Sequence, residues 1–246
     1  MKITPEKREA NKKKVVQAAV DLVTEKGYKA STMREIARRA GIGEATIYNY
    51  FPTKETILFG YYETRFKDCV RELKALEDFN HFSFEEQIQT FYETMLTLFL
   101  PDREFVELSF KSIFFSLAPN FRHFRPVQEQ FFEILDEIFS AAVEAEEIPD
   151  QMFRDMIYYF FWDFFIGMVF YWLRDDSKQF ADTSILLDKS LGLAGGAIRA
   201  GLLNKAVDIA SFLFKNHVLS RMDFFRAHAR ELKKAKRQFM AAADPS

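Results

Sequence analysis

The sequence has little of what disulfide-linked, metal-binding or redox proteins require. Cys69 is the single cysteine among 246 residues, which excludes an internal disulfide framework and fits a reducing cytoplasm. The four histidines, His81, His123, His217 and His228, are scattered, and no two share a helix face at the spacing of metal ligands. We therefore expect no metal site and no cofactor.

The motifs of the common enzyme classes are also missing. The sequence contains no glycine-rich phosphate loop, no nucleophile elbow and no Cys-x-x-Cys pair. Its adjacent acidic pairs, at 136–137 and 146–147, point apart on a helix and indicate charge that faces solvent. We expect no catalytic residues and a protein that is not an enzyme. An enzyme of unfamiliar type that turns over an aromatic or acyl compound is kept as a third alternative.

Neither a secretory signal nor a membrane span is indicated. The N-terminus is polar and charged, without the apolar segment of a signal peptide. The stretch 156–173 is nearly continuously apolar and reaches the lower length limit of a spanning helix. However, Asp163 lies at its centre, where a charge is costly in lipid. We expect a cytoplasmic protein with no membrane partner.

Charge is unevenly distributed along the chain. Residues 1–54 contain 12 Lys/Arg and 6 Asp/Glu, a net charge of +6, whereas the remainder contains 22 and 30, a net charge of −8. A basic head on an acidic body suits a DNA-contacting domain attached to one that avoids DNA. We expect a DNA-binding domain over residues 1–54 and a helical domain over residues 55–246.

The segment 31–53, STMREIARRAGIGEATIYNYFPT, has the pattern of two short helices joined by a tight turn. Thr32 can cap the first helix, and Glu35 follows three residues later, as a capping box requires. Gly41 lies where the chain must turn sharply, a position that often needs positive φ.

The second helix of this segment is expected over 43–51, because Pro52 disfavours helix at the residue before it. Ala37, Gly41 and Ile47 match the small residue, the turn glycine and the buried aliphatic of a helix-turn-helix frame. The second helix of such a unit enters the major groove of DNA. An ordinary helical hairpin is the alternative.

The sequence on either side of this segment carries a resemblance to a known family. A first helix ending in EKGYKAST is followed by MREIARRAGIGEATIYNYFPTKETIL, and the Tyr-x-Tyr-Phe-Pro-x-Lys-Glu ending is specific. Over residues 12–58 the chain resembles the DNA-binding domain of TetR-family transcriptional regulators. The resemblance implies an all-α fold, in which an N-terminal three-helix domain with a helix-turn-helix is joined by a long helix to a larger ligand-binding and dimerisation domain.

The resemblance also implies roles for individual residues. Four are expected to hold DNA phosphates: Thr32, Arg34, Tyr48 and Lys54. A second group is expected to face bases, with the role of its last member undecided: Glu44, Ala45, Thr46, Tyr50 and Asn49. Gly43 and Glu44 depart from the family, which commonly has a serine cap and a lysine or glutamine there. Because glutamate accepts from cytosine N4 but repels phosphate, we expect lower affinity or a more specific operator.

The rest of the chain also has helical periodicity, and no alternating pattern indicates a strand. Residues 1–11 are expected to be frayed. The expected helices cover 12–26, 53–79, 84–100, 102–117, 126–147, 149–174, 182–201, 202–219 and 221–240. The helix 53–79 begins beside the helix-turn-helix segment 31–53 (the reading unit) and ends in the helical domain over 55–246 (the body). It is therefore the expected mechanical connection between them. The basic segment 221–240 could touch DNA, but a solvated terminal helix is the preferred interpretation.

Phenylalanine is abundant, and 20 of the 29 lie between residues 79 and 172. The apolar helix within 156–173 should be buried on every side, by core on one face and a partner subunit on the other. Its stripe around Asp163 is our candidate wall for a cavity that takes a hydrophobic or aromatic effector. Simple core packing, with Asp163 paired to an internal arginine, is the alternative. The candidate ligand residues are Phe91, Met95, Phe110, Phe114, Met156, Tyr159, Phe160, Asp163, Gly167 and Phe170.

Four glycines in a helical context, at 192, 195, 196 and 201, indicate close helix packing. Each costs about 1 kcal/mol relative to alanine in a helix, a cost that tight contact with a neighbour would offset. That neighbour could lie across a two-fold axis, because TetR-like proteins pair their last helices into a four-helix dimer interface. Residues beyond Gly201 extend past the usual family length, which leaves the interface assignment open.

These observations predict a homodimeric, ligand-responsive transcriptional regulator that binds double-stranded operator DNA. A repressor released by a hydrophobic or aromatic small molecule is preferred over an activator. The alternative from another class is an apolar-ligand carrier or scaffold whose basic head binds protein or membrane. The sequence names neither the effector nor the operator.

Overall fold

The computed structural model of the chain describes residues 4–114 and 125–213. Within these ranges the regular structure is helical, with no strand, so the all-α prediction is confirmed. The α-helices are α1 Pro5–Lys26, α2 Met33–Arg39, α3 Lys54–Ala75, α4 Phe84–Phe99, α5 Arg103–Phe114, α6 Arg125–Glu144, α7 Arg154–Trp172, α8 Ala181–Arg199 and α9 Leu202–Leu213. Short 3-10 turns lie at Ile47–Asn49, Phe79–His81, Leu100–Asp102 and Lys178–Phe180.

Helix α1 begins earlier than the apolar periodicity predicted. The expectation that residues 5–11 are frayed is wrong, because a helix start precedes them. Thr4 accepts a hydrogen bond from the Lys7 backbone N–H at 3.4 Å, Pro5 occupies the first turn, and Glu6 favours the helix dipole. The helix ends at Gly27 with a φ of 84°, where it was predicted to end.

The reading head is a small three-element unit built from α1, α2 and the segment that precedes α3. Its core is formed by buried aliphatic side chains from these elements and from the first turn of α3, together with one aromatic ring: Val15, Ala18, Ala19, Leu22, Ile36, Ala37, Ile47, Phe51 and Ile57. Gly60 on α3 lets the Phe51 ring approach the helix, since a Cβ atom there would lie 2.7 Å from Phe51 Cε1. The ring therefore packs directly against the backbone of α3.

Helix α3 leaves the reading head and enters the body. Thr53 caps it by accepting from the Thr56 backbone N–H at 3.3 Å, as the sequence predicted for that residue. The helix ends at Ala75, four residues before the predicted end, because Leu76 adopts extended backbone angles. The predicted domain boundary at residue 54 coincides with the first residue of this helix and stays a prediction.

The body has an aromatic core between α3, α4, α6 and α7. The ring centroids of Phe91 and Phe131 are 5.2 Å apart, and that of Phe165 lies 5.4 Å from Phe131. Tyr92 is fully buried, and its hydroxyl donates to the Phe161 carbonyl at 2.6 Å. These centroid distances are typical of favourable aromatic pairs, so many of the phenylalanines are core.

Helix α7 buries one face in the body, as predicted, and burial of its other face by a partner subunit stays a prediction. One stripe is buried in the body: Phe161, Phe165, Met168 and Trp172. The opposite stripe is exposed in the single chain, and Asp163 lies on that surface. Of the glycines expected to pack tightly, only Gly195 has a close neighbour on another helix, since a Cβ there would overlap the Glu85 side chain of α4. Among the described helices, none combines the length and the hydropathy of a membrane-spanning segment.

Among the described residues, 149–152 and 196–213 form a second compact unit. Within it, the Asn204 side chain donates to the Asp150 carbonyl at 2.8 Å and accepts from the Met152 backbone N–H at 3.1 Å. Gly201 has a φ of 60° and separates α8 from α9. The predicted helix over 202–219 is described as far as residue 213, and the basic segment 221–240 lies outside the described residues.

Candidate nucleic-acid interface

The first half of the reading unit has the local geometry that the sequence predicted. Thr32 Oγ1 accepts from the Glu35 backbone N–H at 3.3 Å, and Glu35 Oε2 accepts from the Thr32 backbone N–H at 3.0 Å. This capping box satisfies two backbone donors at the start of α2. Gly41 has a φ of 66°, and the next amide donates to the Ala37 carbonyl at 2.9 Å, which closes the turn.

The second half is less helical than the predicted helix over 43–51. The Gly43 carbonyl accepts from the backbone N–H groups of Thr46 and Ile47, at 2.8 and 3.2 Å, and only Ile47–Asn49 form a regular 3-10 turn. Thr46 and Ile47 are β-branched, and Gly43 has no side chain to cap the segment. We attribute the short, tight helical turn to these residues.

This turn nevertheless presents a defined surface. Ile47 is fully buried and anchors the turn on the core, as the helix-turn-helix frame predicted. Four residues expected at the DNA surface are exposed: Glu44, Ala45, Tyr48 and Asn49. Thr46 is half-buried between them. The arrangement offers one acid, one phenol and one amide to a ligand outside the chain.

The structure brings together one predicted phosphate-binding residue and one predicted base-reading residue. Arg34 Nε donates to Glu44 Oε1 at 2.7 Å, and Arg38 Nη2 lies 3.9 Å from the same oxygen. All three side chains are at least half exposed. Sequence analysis missed Arg38, although its position one helical turn after Arg34 places both on one face of α2.

Two residues expected to contact DNA have partners within the head. The hydroxyl of Tyr50 accepts from Asn11 Nδ2 at 2.8 Å. Lys54 Nζ donates to the backbone carbonyls of Tyr28 and Ser31, at 2.6 and 2.7 Å, and lies 4.1 Å from the Tyr28 ring centroid. Burial lowers the pKa of Lys54. Their DNA contacts stay predictions, while the structure shows that both side chains join segments of the head.

A polar cluster connects α3 to the start of α5. Asp102 Oδ2 accepts from Tyr61 Oη at 3.1 Å and from Arg65 Nη2 at 2.9 Å. The next residue of α3 makes a second contact, since the buried hydroxyls of Tyr62 and Ser109 share a hydrogen bond of 2.5 Å. No local sequence pattern predicts these pairs, whose members lie 37 to 47 residues apart in the chain. They fix α3, which carries the reading head, against α5.

The next residue along the chain makes a second connection. Arg103 Nη2 donates to the carbonyls of Trp172 and Asp175, at 3.1 and 3.2 Å. The guanidinium carbon lies 5.4 and 5.2 Å from the ring centroids of Trp172 and Phe180. Asp102, the last residue of the 3-10 turn, therefore binds α3, and Arg103, the first residue of α5, binds the end of α7 and the α7–α8 connection.

The candidate effector residues do not surround one cavity. Phe91, Met95 and Phe110 are fully buried in the packed core. Five others are exposed in the single chain, so the Asp163 carboxylate is not buried there, and their role in effector binding stays a prediction: Met156, Tyr159, Phe160, Asp163 and Gly167. Phe170 is half-buried, and the side chain of Phe114, the last residue of α5, lies outside the described part of the structure.

A groove between α3 and α6 offers space that sequence analysis missed. It has a volume of about 340 Å³ and an apolar floor with a few polar residues at its rim. The apolar lining is Val70, Leu73, Leu76, Phe79, Ile134, Ile138 and Ala141. A second space of about 550 Å³ shares Val70, Lys74, Ile134 and Glu137 with it and adds Lys67. The groove lies directly on the helix that carries the reading head.

The capped helix, the glycine turn and the exposed second segment define a helix-turn-helix protein with a helical body. The family model described as "Bacterial regulatory proteins, tetR family" matches residues 15–67. The model described as "Tetracyclin repressor-like, C-terminal domain" matches residues 87–213, which is more than half of the chain. The chain therefore belongs to the TetR family of transcription regulators.

Similar proteins agree with this assignment. The "Uncharacterized HTH-type transcriptional regulator YuxN" of Bacillus subtilis is 27% identical over 102 residues, which are 40% of this chain but only 34% of that protein. The "Fatty acid metabolism regulator protein" of the same organism is 24% identical over 149 residues, 58% of this chain and 76% of that protein. A crystal structure of FadR from Bacillus subtilis in complex with stearoyl-CoA aligns with a TM-score of 0.58 and 22% identity. The alignment covers 74% of this chain and 96% of the FadR chain, and the similarity supports the fold.

Proposed function

We propose that the protein is a homodimeric, cytoplasmic repressor that leaves its operator when a hydrophobic small molecule binds the body. The observation that carries this proposal is the exposed surface at residues 44–49, held on the core of the head by Ile47. Such a turn can place side chains at base edges in the major groove. Two heads would read half-sites about 34 Å, or a multiple of that distance, apart.

DNA contact would combine phosphate and base recognition. Thr32, Arg34 and Tyr48 are exposed beside the reading segment and suit phosphate oxygens. Ala45 and Asn49 are exposed on the segment itself and suit base edges. We assign Tyr50 and Lys54 a positioning role as well, because their intramolecular bonds hold α1, the α1–α2 connection and α3 together.

Dimerisation would use the exposed faces of α7 and α8. Met156, Tyr159 and Phe160 on α7 are 52 to 58% exposed, and Ile185 and Leu193 on α8 are 52 and 78% exposed. An apolar surface of this kind is typical of a protein interface. Two copies of the same face would pair around a two-fold axis. This assignment replaces the cavity wall that the sequence suggested for the same stripe of α7.

The effector would bind in the groove between α3 and α6. Its floor is apolar, and its charged lining comprises Lys67 and Lys74, which could bind an anionic group, together with Glu129, Glu133 and Glu137. A fatty acyl thioester has both parts, and the similar FadR structure contains stearoyl-CoA. We therefore propose a long-chain acyl-CoA as the effector class. The volume of the groove, about 340 Å³, lies near the lower end of the range for small-molecule sites, so binding of the effector would widen the groove.

Effector binding would act through α3. Widening the groove would displace α3 relative to α6. The reading head would move with α3, because the first turn of α3 is part of the core of the head. The change is a population shift, whose size is limited by the difference in effector affinity between the two arrangements.

Fluorescence anisotropy tests this function. The full chain is titrated against a duplex from its own upstream region and against a random-sequence duplex, with and without stearoyl-CoA. We expect tighter binding to one upstream duplex and weaker binding when stearoyl-CoA is added. Unchanged operator affinity at saturating stearoyl-CoA would refute the effector assignment. Acyl-CoA binding without any DNA binding would instead favour the carrier alternative.

A further inference from the structure

Two arginines and one acid form an ion cluster on the surface proposed to meet DNA. Arg34 and Arg38 lie one turn apart on α2, and Glu44 lies on the segment that follows the turn. Arg34 Nε and Glu44 Oε1 are 2.7 Å apart, and Arg38 Nη2 lies 3.9 Å from the same oxygen. The exposed fractions of the three side chains are 70, 68 and 50%.

The other charges of α2 have a different use. Arg39 makes two hydrogen bonds with the Glu25 carboxylate of α1, at 2.5 and 2.6 Å, and Glu35 pairs with Lys26 of α1 at 2.5 Å. These pairs join α2 to α1. The contacts of Arg34 and Arg38 with Glu44 lie instead on the surface proposed to meet DNA. They do not join α2 to α1, so the packing of these two helices does not depend on them.

We propose that Glu44 is a specificity-determining residue that withholds Arg34 and Arg38 from unselective phosphate binding. It releases them when its carboxylate accepts a hydrogen bond from a cytosine amino group. This inference rests on the proposed DNA-binding function. It links a base contact to phosphate contacts through one side chain.

The chemistry of the three groups supports this link. An arginine binds either a carboxylate or a phosphate through the same N–H groups, and a nearby carboxylate repels a phosphate. A glutamate in the major groove accepts from cytosine N4, whereas adenine N6, the other amino donor in that groove, lies beside the N7 acceptor, which repels a carboxylate. On DNA without a cytosine there, Glu44 keeps Arg34. On DNA with one, Glu44 turns to the base and the arginines reach the phosphates.

The size of the effect follows from counterion release. Each phosphate neutralised by the protein changes the slope of log K against log salt by about 0.9 for duplex DNA. At 0.1 M salt one further contact is therefore equivalent to about eightfold in affinity for each subunit. Glu44→Gln should steepen the salt dependence on random-sequence DNA by about 0.9 per subunit and raise affinity accordingly. The slope on the preferred duplex should change little, because the arginines are already released there.

The experiment uses the full chain and two fluorescent duplexes, one selected by the wild type from a random pool and one of random sequence. Binding is measured across about 0.05–0.2 M salt for the wild type, Glu44→Gln, Arg34→Gln and the double variant. Glu77→Gln is the matched control, because it removes one exposed acid in the turn after α3, outside the head. We expect a steeper slope on random DNA for Glu44→Gln alone and a smaller effect of Glu44→Gln in the Arg34→Gln background.

Selection provides a second readout. The wild type should enrich a cytosine at one position of each half-site, and Glu44→Gln should lose part of that enrichment. If Glu44→Gln and Glu77→Gln have the same slope on random DNA, the inference is overturned while DNA binding stands. If the wild type selects no sequence and binds neither duplex, the proposed function fails and the inference fails with it.

Discussion

Asp102 provides the sharpest test of how the reading head is held to the body. Its carboxylate accepts hydrogen bonds from Tyr61 Oη at 3.1 Å and from Arg65 Nη2 at 2.9 Å, and both donors lie on α3. The side chains of Asp102 and Arg65 are only 13 and 25% exposed. The substitution Asp102→Ala removes the acceptor that both donors share.

The magnitude follows from the burial of these groups. A hydrogen bond to a charged group is worth about 1.5–3 kcal/mol, and removing one partner of a buried pair costs about 3–5 kcal/mol. After the substitution, Arg65 still has a second carboxylate nearby, that of Asp68 at 3.6 Å. The side chain of Arg65 is also partly exposed to solvent. We therefore expect Asp102→Ala to lower the free energy of unfolding by about 2–3 kcal/mol. Asp102→Asn, which keeps the shape and one acceptor, should cost about half as much.

Urea unfolding followed by far-UV circular dichroism measures this loss. Glu104→Ala is the matched control, because Glu104 is an exposed acid two residues away and should change stability by less than about 0.5 kcal/mol. The same variants are then titrated with operator DNA and effector. Because Asp102 joins α3 to α5, we expect Asp102→Ala to reduce the effector-induced change in operator affinity. A loss of stability no greater than that of Glu104→Ala would refute this account of the cluster.

Three further predictions concern packing, assembly and pH. Gly60→Ala should lower stability by about 1–2 kcal/mol in urea unfolding, because its Cβ would lie 2.7 Å from Phe51; a gain would show that the ring can move away. Phe160→Glu on the exposed face of α7 should convert dimers to monomers in analytical ultracentrifugation, whereas Leu100→Glu, a similarly exposed site outside α7 and α8, should not. Lys26 and the capping contact with Thr32 lower the pKa of Glu35 to about 2, so its stabilising effect is present above about pH 4.5 and is lost as pH falls towards 2. Glu35→Gln should flatten the stability profile over that range, and an unchanged profile would exclude the contribution.

Several elements of the fold were predictable because their signals are local. The capping box of Thr32 with Glu35, the positive φ at Gly41 and the cap at Thr53 depend on residues within four positions of one another. The buried Ile47 follows from the spacing of the helix-turn-helix frame. The signal for the early start of α1 is equally local, since Thr4 caps the helix. The predicted start was too late because it was placed where the apolar periodicity begins.

The short second helix shows where local signals compete. The spacing of the frame predicted helix from 43 to 51, whereas β-branched residues and an uncapped glycine favour a tighter turn. The structure has a 3-10 turn at Ile47–Asn49 within that range. Packing of Ile47 on the core still places Glu44 and Tyr48 at the surface, so the position of the site was predictable although its exact backbone was not.

By itself the sequence determined the class of the protein. It predicted an all-helical chain with a helix-turn-helix head, and the motif residues that carry this prediction lie within one continuous stretch. Tertiary structure decided the partners of those residues. Lys54 binds carbonyls more than twenty residues away, Arg34 binds Glu44, and Asp102 binds α3. It also decided which face of α7 is core and which is surface. A helix with apolar residues on all sides has no periodicity to choose between its faces, so only the packing of α3, α4 and α6 against it made that choice.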